Sequence, residues 1–199
     1  MNGCRPSDGG DVVDEIGWTN PSFSMRSHVR RFFKALRAKM TAADRHFVEE
    51  YLTERERLLF YRQRVADQRH GVDAARFLLA KTEAVVWPDQ TPLVKAALLH
   101  DVGKSRVSLP LWGRPAAVLL KAFAPGLYRD SSVRGEAADA PRLCQYVYLH
   151  RFHPRIGAEM LAAAGTEPEV VDLVRRHHSP SPADPKSLTL LRKADKLGG

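Results

Sequence analysis

The sequence predicts an all-α protein, a single helical bundle with a disordered N-terminal tail. Apolar residues recur at helical spacing along most of the chain, and no useful stretch alternates apolar and polar residues as a β-strand does. Ser, Thr, Pro and Gly stand where helices would begin and end. The length of 199 residues, with 44% hydrophobic residues, suits one domain with a sizeable core.

The N-terminal part divides into a tail and a set of helices. Residues 1–24 are polar, acidic and rich in Gly, Ser and Pro, so they are expected to be disordered. They lack the basic start and the apolar stretch of a secretory signal. Residues 25–66 are expected to form helices that pack on the core, the first of them basic and ending near residue 40. The N-caps predicted for these helices are Ser24, Thr41 and Thr53, the last in a capping box with Glu56.

Residues 67–199 are expected to form the main helical domain. An amphipathic helix covers about 67–86. The next helix begins at Thr91-Pro92, with Pro in its first turn, and ends at His100-Asp101. This second helix is apolar nearly all round, so it is expected to be buried.

The C-terminal half begins with an insert, residues 105–141, that Gly and Pro interrupt. The insert is predicted to be irregular, with one short helix at about 116–124. Pro154 is expected to open a helix, because Pro is favoured in a first turn. The helices predicted after the insert cover about 141–151, 154–164, 167–178 and 186–197.

Charge and composition narrow the classes of function. The net charge is +8, and the acidic tail leaves a still more basic body that should attract phosphate esters, nucleotides, nucleic acid or an anionic membrane surface. A basic, solvated face is the simpler alternative. No apolar run approaches the roughly 20 residues that span a bilayer. Cys4 and Cys144 lie far apart and indicate neither a disulfide framework nor a zinc ribbon, so a cytoplasmic location is predicted.

His100-Asp101 is the first candidate for chemistry because it ends the predicted buried helix. A buried imidazole and a buried carboxylate both need partners, and one divalent metal satisfies both. Lys104 lies four residues after His100, projects from nearly the same side, and is placed to hold a phosphate oxygen. A core His beside an Asp–Lys pair is the structural alternative.

Further candidates lie on other predicted helices, and each alone has a structural explanation. His70 lies within an amphipathic helix, where a lone His is usually structural. Asp195 lies on the apolar side of the last helix, where an Arg would be an ordinary partner. Three more imidazoles lie at predicted helix boundaries: His153, His177 and His178. Side chains at such boundaries can converge on a site, but histidines at exposed helix ends are also common.

The order of these residues resembles the HD-domain superfamily of metal-dependent phosphohydrolases. The resemblance covers about 67–197. Its segments are Asp-Gln-Arg-His70, Leu-Leu-His100-Asp101-Val-Gly-Lys104, His153-Pro-Arg-Ile-Gly157-Ala158, Arg-Arg-His177-His178 and Lys-Ala-Asp195-Lys. It implies an all-α core with one metal held by four residues and, in members with the additional histidines, a second metal. The four are His70, His100, Asp101 and Asp195; the additional three are His153, His177 and His178.

Two subgroups of the superfamily are the most similar. They are the HD-GYP cyclic dinucleotide phosphodiesterases and the HD hydrolases that split symmetric dinucleoside tetraphosphates. The sequence departs from the first at Ser179-Pro180, where an acidic residue and a GYP segment are expected. The insert is not typical of the second. The substrate is therefore left open, as is the choice among phosphodiesterase, phosphomonoesterase and pyrophosphohydrolase.

The expected activity is hydrolysis of a phosphate ester or anhydride, with a nucleotide or dinucleotide as substrate. Water would be activated by one or two divalent transition metals, namely Fe, Mn, Zn, Ni or Co. Asp101 and Lys104 are the expected catalytic residues, the first binding metal and the second offsetting phosphoryl charge. Arg106 and Arg114 are the further substrate-binding candidates, with Trp112 between them.

Two alternatives belong to other classes of protein. The basic run between His28 and Lys39 also fits a helical nucleic-acid-binding module, whose binding would be salt-sensitive and indifferent to metal. A third hypothesis is an HD protein that keeps its metal and binds a nucleotide without turning it over, as a sensor does.

Overall fold

The computed structural model describes residues 37–82, 89–107 and 113–198, and every regular element in these ranges is helical. The predicted tail, and the predicted first helix up to residue 36, lie outside the described residues. The all-α prediction is confirmed. The α-helices are α1 (Ala42–Tyr51), α2 (Glu54–Arg62), α3 (Val65–Thr82), α4 (Thr91–Leu99), α5 (Gly113–Phe123), α6 (Pro125–Arg134), α7 (Arg142–Ala164), α8 (Pro168–Arg176) and α9 (Lys186–Gly198), with a 3-10 helix at Val102–Arg106.

The starts of the early helices follow from side-chain caps. Thr41 accepts a hydrogen bond from the backbone N–H of Asp44, whose carboxylate accepts one from the backbone N–H of Thr41. Thr53 and Glu56 form the same reciprocal pair, as predicted. Residues 38–40 are not helical, so the predicted first helix does not reach residue 40.

One prediction about the C-terminal half is wrong, because α7 is a single helix with Pro154 inside it. Pro154 has no N–H with which to bond the carbonyl of His150, one turn earlier. The His153 Nδ1–H donates to that carbonyl instead, at 3.1 Å, so the carbonyl keeps a partner and the helix continues. Pro154 is also buried, and packing offsets the cost of its ring.

The predicted irregular insert is largely helical. It contains α5 and α6, where one short helix was expected. Pro125 occupies the first turn of α6, a favoured place, so it starts a helix where it was taken for a break. Ala117 of α5 and Tyr128 of α6 pack against Val147 of α7, so this pair of helices has a small apolar core of its own.

The main core lies around α4, whose residues Leu93–Leu99 are all buried. One large apolar cluster there contains side chains from α1, α2, α3, α4, α7, α8 and α9. Lys95, the charged residue of this segment, donates to Glu56 at 3.3 Å and to Glu167 at 2.8 Å. Gly71 lets α3 approach α4 closely, since a Cβ there would lie 2.9 Å from the carbonyl oxygen of Leu98. The polar pair that follows α4, His100-Asp101, therefore lies in the middle of the bundle.

None of the helices in the described ranges is long and apolar enough to cross a membrane.

Candidate metal centre

The predicted ligands converge into two groups. In each group the candidate ligand atoms lie within 4.8 Å of one another. The first group joins α3, the end of α4 and α9, and the second joins α7 to the turn after α8. The first group is His70, His100 and Asp195; the second is His153, His177 and His178.

Asp101 lies between the two groups and is buried. Its Oδ2 lies 3.5 Å from the Nε2 of His100, and its Oδ1 lies 3.3 Å from the Nε2 of His153. Lys104 Nζ donates to Oδ2 at 2.7 Å. Burial alone would raise the pKa of Asp101, but the nearby charges of Lys104 and His100 outweigh it and hold that pKa well below the usual value. The carboxylate is therefore ionised, with one oxygen toward each group.

Three imidazoles share one orientation, fixed by backbone carbonyls three residues earlier. The Nδ1 of His100 is 2.9 Å from the oxygen of Ala97, and the Nδ1 of His177 is 2.7 Å from that of Val174. His153 uses the carbonyl of His150 in the same way. A carbonyl only accepts, so each Nδ1 carries a proton, and the Nε2 of neutral His153 and His177 has a free lone pair.

Those Nε2 atoms provide a test of whether a metal fits. In the part of the chain that the structure describes, the Nε2 atoms of His100, His153 and His177 and the Oδ1 of Asp101 are buried with no hydrogen-bond partner. A buried acceptor without a donor is costly. Divalent cations held by the two groups would give these buried atoms partners, and a donor set rich in imidazole favours a transition metal over Mg²⁺ or Ca²⁺. The residues present fit the predicted metal.

Carboxylates in and beside the first group favour protonation of His100. His70 Nε2 lies 3.1 Å from Asp195 Oδ1, and His100 Nε2 lies 3.6 Å from the same oxygen. Burial opposes protonation of His100, yet Asp101 and Asp195 outweigh burial and raise its pKa to about 9. Burial likewise raises the pKa of Asp195, but its contacts with His100 and His70 lower that pKa well below the usual value.

The second group stays uncharged. Burial is the largest cause that lowers the pKa of His153, of His177 and of His178, the last to about 4. The remaining causes include the charges of neighbouring imidazoles and of Lys104. These three imidazoles are neutral at pH 7, which is the form that binds metal.

Gly103 allows the 3-10 helix to press against α7. A Cβ at this position would lie 2.2 Å from the carbonyl oxygen of His153 and 2.7 Å from the backbone nitrogen of Gly157. Any side chain would therefore push the two elements apart. The His-Asp-x-Gly-Lys spacing thus has a steric reason, because Gly103 brings Asp101 and Lys104 up to His153.

Arg192 of α9 is a site residue that the sequence reasoning missed. Its Nε donates to the carbonyl of His177 at 3.1 Å, and its Nη2 donates to the carbonyls of Arg176 and Ser179 at 2.9 and 2.8 Å. Its Nη1 donates to Asp184 at 2.6 Å. These bonds satisfy carbonyls at the end of α8 and fix the turn that presents the His177-His178 pair. The sequence signal was its place three residues before Asp195, on one side of a helix.

His150 and Tyr128 were also missed. The Tyr128 hydroxyl lies 2.7 Å from the Nδ1 of His150, one turn before His153 on α7. Burial, followed by the charges of His153 and Lys104, lowers the pKa of His150 to about 3. Burial raises the pKa of Tyr128 to about 12. A neutral imidazole thus meets a protonated phenol at the edge of the second group.

The structure places the predicted substrate-binding residues in different surroundings, and it does not describe all of their side chains. Lys104 lies at the centre, on Asp101. Arg106 ends the 3-10 helix and is exposed, and its contact with substrate stays a prediction. Arg114 lies in the first turn of α5, but its side chain is outside the described part, as is Trp112.

No family model matches the chain, and no curated protein or solved structure matches it either.

Proposed function

We propose that this protein is a metal-dependent phosphohydrolase of the HD type, which cleaves a phosphate ester or anhydride of a nucleotide-like substrate. The observation that carries the proposal is the position of Asp101. Its carboxylate presents one oxygen to each of two groups of candidate ligands. A buried, unpaired Nε2 belongs to His100 in the first group and to His153 and His177 in the second. A purely structural cluster of buried polar groups would be expected to pair its members with one another.

The residues of the site have separate roles in the proposed reaction. One or two divalent transition metals, when bound, acidify water and polarise a phosphoryl oxygen. The first group and the second group would hold these ions, and Asp101, which lies between the groups, would contribute to both. The Lys104 ammonium, 2.7 Å from Asp101 Oδ2, lies where it can approach a phosphoryl oxygen and offset charge that grows during cleavage.

The basic charge of the chain supports an anionic substrate. The 31 Lys and Arg residues exceed the 23 Asp and Glu residues. A surplus of positive charge draws phosphates toward the protein and speeds association. This electrostatic attraction depends on the phosphate groups alone. It is therefore consistent with a nucleotide substrate and does not specify the base.

The test combines metal analysis of the purified protein with a nucleotide hydrolysis screen under Mn and Fe supplementation. Asp101→Ala is expected to lose bound metal and at least 100-fold in turnover, since it removes the shared ligand. Asp139→Ala, at an exposed position in the turn after α6, is the matched control and should behave as wild type. Helical content by circular dichroism should be equal in all three proteins.

Other results would select the alternative hypotheses. Bound metal and nucleotide binding without turnover in the wild type would make the protein a sensor and overturn catalysis. Absence of metal, together with salt-sensitive binding to nucleic acid, would support the nucleic-acid-binding module and overturn the metal centre.

A further inference from the structure

We infer that α5 and α6 add an anion-binding subsite beside the metal centre, and that this subsite takes the non-scissile part of a chain of linked phosphates. The residues of the subsite are Tyr128, His150 and Lys121. The inference rests on the proposed function and deepens it, because it names the substrate class as a compound with two or more linked phosphates. A single phosphate bound at the metals and Lys104 would have no use for these residues.

The subsite adjoins the second group of ligands. His150 precedes His153 by three residues on α7, so the two side chains project from neighbouring positions of one face. Their places along the helix axis differ by roughly 4.5 Å, from a rise of about 1.5 Å per residue. The next phosphate of a linked chain can bridge such a step.

The Tyr128–His150 pair supplies a neutral hydrogen-bond donor. The phenol keeps its proton and donates it to Nδ1 of His150 across 2.7 Å. The imidazole proton then resides on Nε2, which is the remaining donor. A donor of this kind suits an anionic oxygen, and the aromatic rings meet edge to face with centroids 5.8 Å apart, which restrains the imidazole.

Positive charge around this pair favours an anion. Lys121 Nζ lies 6.0 Å from the centre of the Tyr128 ring, in cation–π range. Arg151, next to His150 on α7, donates to Ser132 of α6 at 2.9 Å. Between residues 113 and 151 the chain has six basic residues and three acidic ones. This segment, which contains α5 and α6, therefore carries a surplus of positive charge.

The experiment compares two anions that differ in the number of linked phosphates. Binding of inorganic tripolyphosphate and of orthophosphate is measured by titration calorimetry, on the full chain as purified, without added divalent ions. The wild type is expected to bind tripolyphosphate at least tenfold more tightly than orthophosphate. His150→Ala should lower tripolyphosphate affinity about tenfold, and Tyr128→Phe about threefold, because each weakens a hydrogen bond to a charged group. Orthophosphate affinity should stay within twofold.

The chain offers matched controls. His46 on α1 and Tyr61 on α2 are exposed and lie on elements that do not contribute ligands. His46→Ala and Tyr61→Phe should bind both anions as the wild type does. Tyr128→Phe removes one oxygen only, so it should fold even if His150→Ala does not, and melting temperatures verify this.

The outcomes separate the two proposals. Equal loss of affinity for both anions, or no loss for either, would overturn the subsite whatever the catalytic result. Selective loss of tripolyphosphate binding in a protein that shows no metal and no hydrolysis would support the subsite and overturn the proposed function. With both correct, the same two variants raise KM for a polyphosphate substrate more than they lower kcat.

Discussion

At the scale of single residues, backbone carbonyls decide which imidazole nitrogen faces the centre. His100 and His177 follow the last turns of α4 and α8, where carbonyls have no helical partner. His153 lies mid-helix, yet Pro154 frees a carbonyl for it. Three different local sequences thus give the same bond from Nδ1–H to the carbonyl three residues earlier, and each leaves Nε2 buried without a hydrogen-bond partner. The protein thus fixes the orientation of each ring, which lowers the cost of binding a metal.

Pro154→Ala tests this role of the helix backbone. The substitution restores an N–H that competes with His153 Nδ1 for the carbonyl of His150, so the imidazole loses part of its restraint. We expect metal affinity of the second group to fall about tenfold, a typical effect of removing a partner that orients a ligand. Stability of the metal-free protein should not fall, because Ala suits a helix better than Pro. Metal titration and thermal melts measure the two effects.

Pro168→Ala, in the first turn of α8, is the control for that variant and should leave metal affinity unchanged. If Pro154→Ala bound metal as tightly as the wild type, the carbonyl of His150 would have no part in preparing the centre.

The pKa values predict an unequal response of the two groups to pH. His100 has a pKa raised to about 9, so it is protonated below that pH and a metal must displace the proton. Metal affinity of the first group should therefore rise by up to about tenfold per pH unit between pH 7 and pH 9, then level off. The second group has lowered pKa values, such as about 4 for His178, and should change little over that range.

Calorimetry in buffers of different ionisation enthalpy measures this linkage. About one proton should be released at pH 7.5 when the first group fills. Proton release that is absent, or that accompanies filling of the second group instead, would contradict the assignment of charge to His100.

At the scale of elements, α9 unites the two groups. It carries Asp195 of the first group and Arg192, which holds the turn of the second. Arg192 is partly buried and donates to four acceptors, and its planar fork makes the bonds together. One helix thereby sets the position of ligands that come from distant parts of the sequence.

Arg192→Lys is expected to loosen the second group while the first keeps its metal. A lysine has one ammonium and cannot replace bonds that leave the guanidinium in several directions. We expect metal affinity of the second group to fall between about 10- and 100-fold. The number of tightly bound metal equivalents, measured after dialysis, should drop accordingly. Arg175→Lys, on the exposed side of α8, is the matched control and should bind metal as the wild type does.

If Arg192→Lys lowered the metal affinity of both groups equally, with a large fall in melting temperature, the role of Arg192 would be general stability. Its role in positioning the His177-His178 turn would then be rejected.

The elements also explain which parts of the fold the sequence could predict. Helix starts with local caps were predictable, because Thr53 and Glu56 interact within one turn. The continuity of α7 was not, since it depends on a His side chain that supplies the bond Pro154 cannot make. In the insert, Pro125 was interpreted as a break although it starts α6. Pro marks helix starts and helix ends alike, and only packing partners such as Val147 decide between them.

At the scale of the whole molecule, the predicted ligands lie together in two groups, and several of their buried polar atoms have no hydrogen-bond partner. His100 and His177 could be recognised from sequence because they lie at the ends of predicted helices. Tyr128 and His150 were not recognisable, because their roles arise from contacts across the fold, and the signal for Arg192 was only its place three residues before Asp195. A sequence pattern indicates which residues need a partner, whereas the tertiary structure determines which partner they obtain.

The centre joins elements that are distant in sequence, and so a bound metal should act as a cross-link of the bundle. Its ligands come from α3, α4, α7, α9 and the turn after α8. Removal of a bound metal would leave these buried Nε2 atoms without a partner and would remove a link between five segments. Binding at about 100 times the dissociation constant contributes about 2.7 kcal/mol. For a chain of this size, that corresponds to a melting temperature about 5–10 °C lower after chelation.

Differential scanning calorimetry with and without a chelator measures this cross-link, and Asp101→Ala provides the control. If the ions stabilise the bundle through the shared carboxylate, the chelator should lower the melting temperature of the wild type and leave that of Asp101→Ala almost unchanged. Re-addition of Mn²⁺ should restore the wild type alone, because only there do both groups share an ionised Asp101. A chelator that shifts neither protein, or both equally, would show that the metal does not hold these helices together.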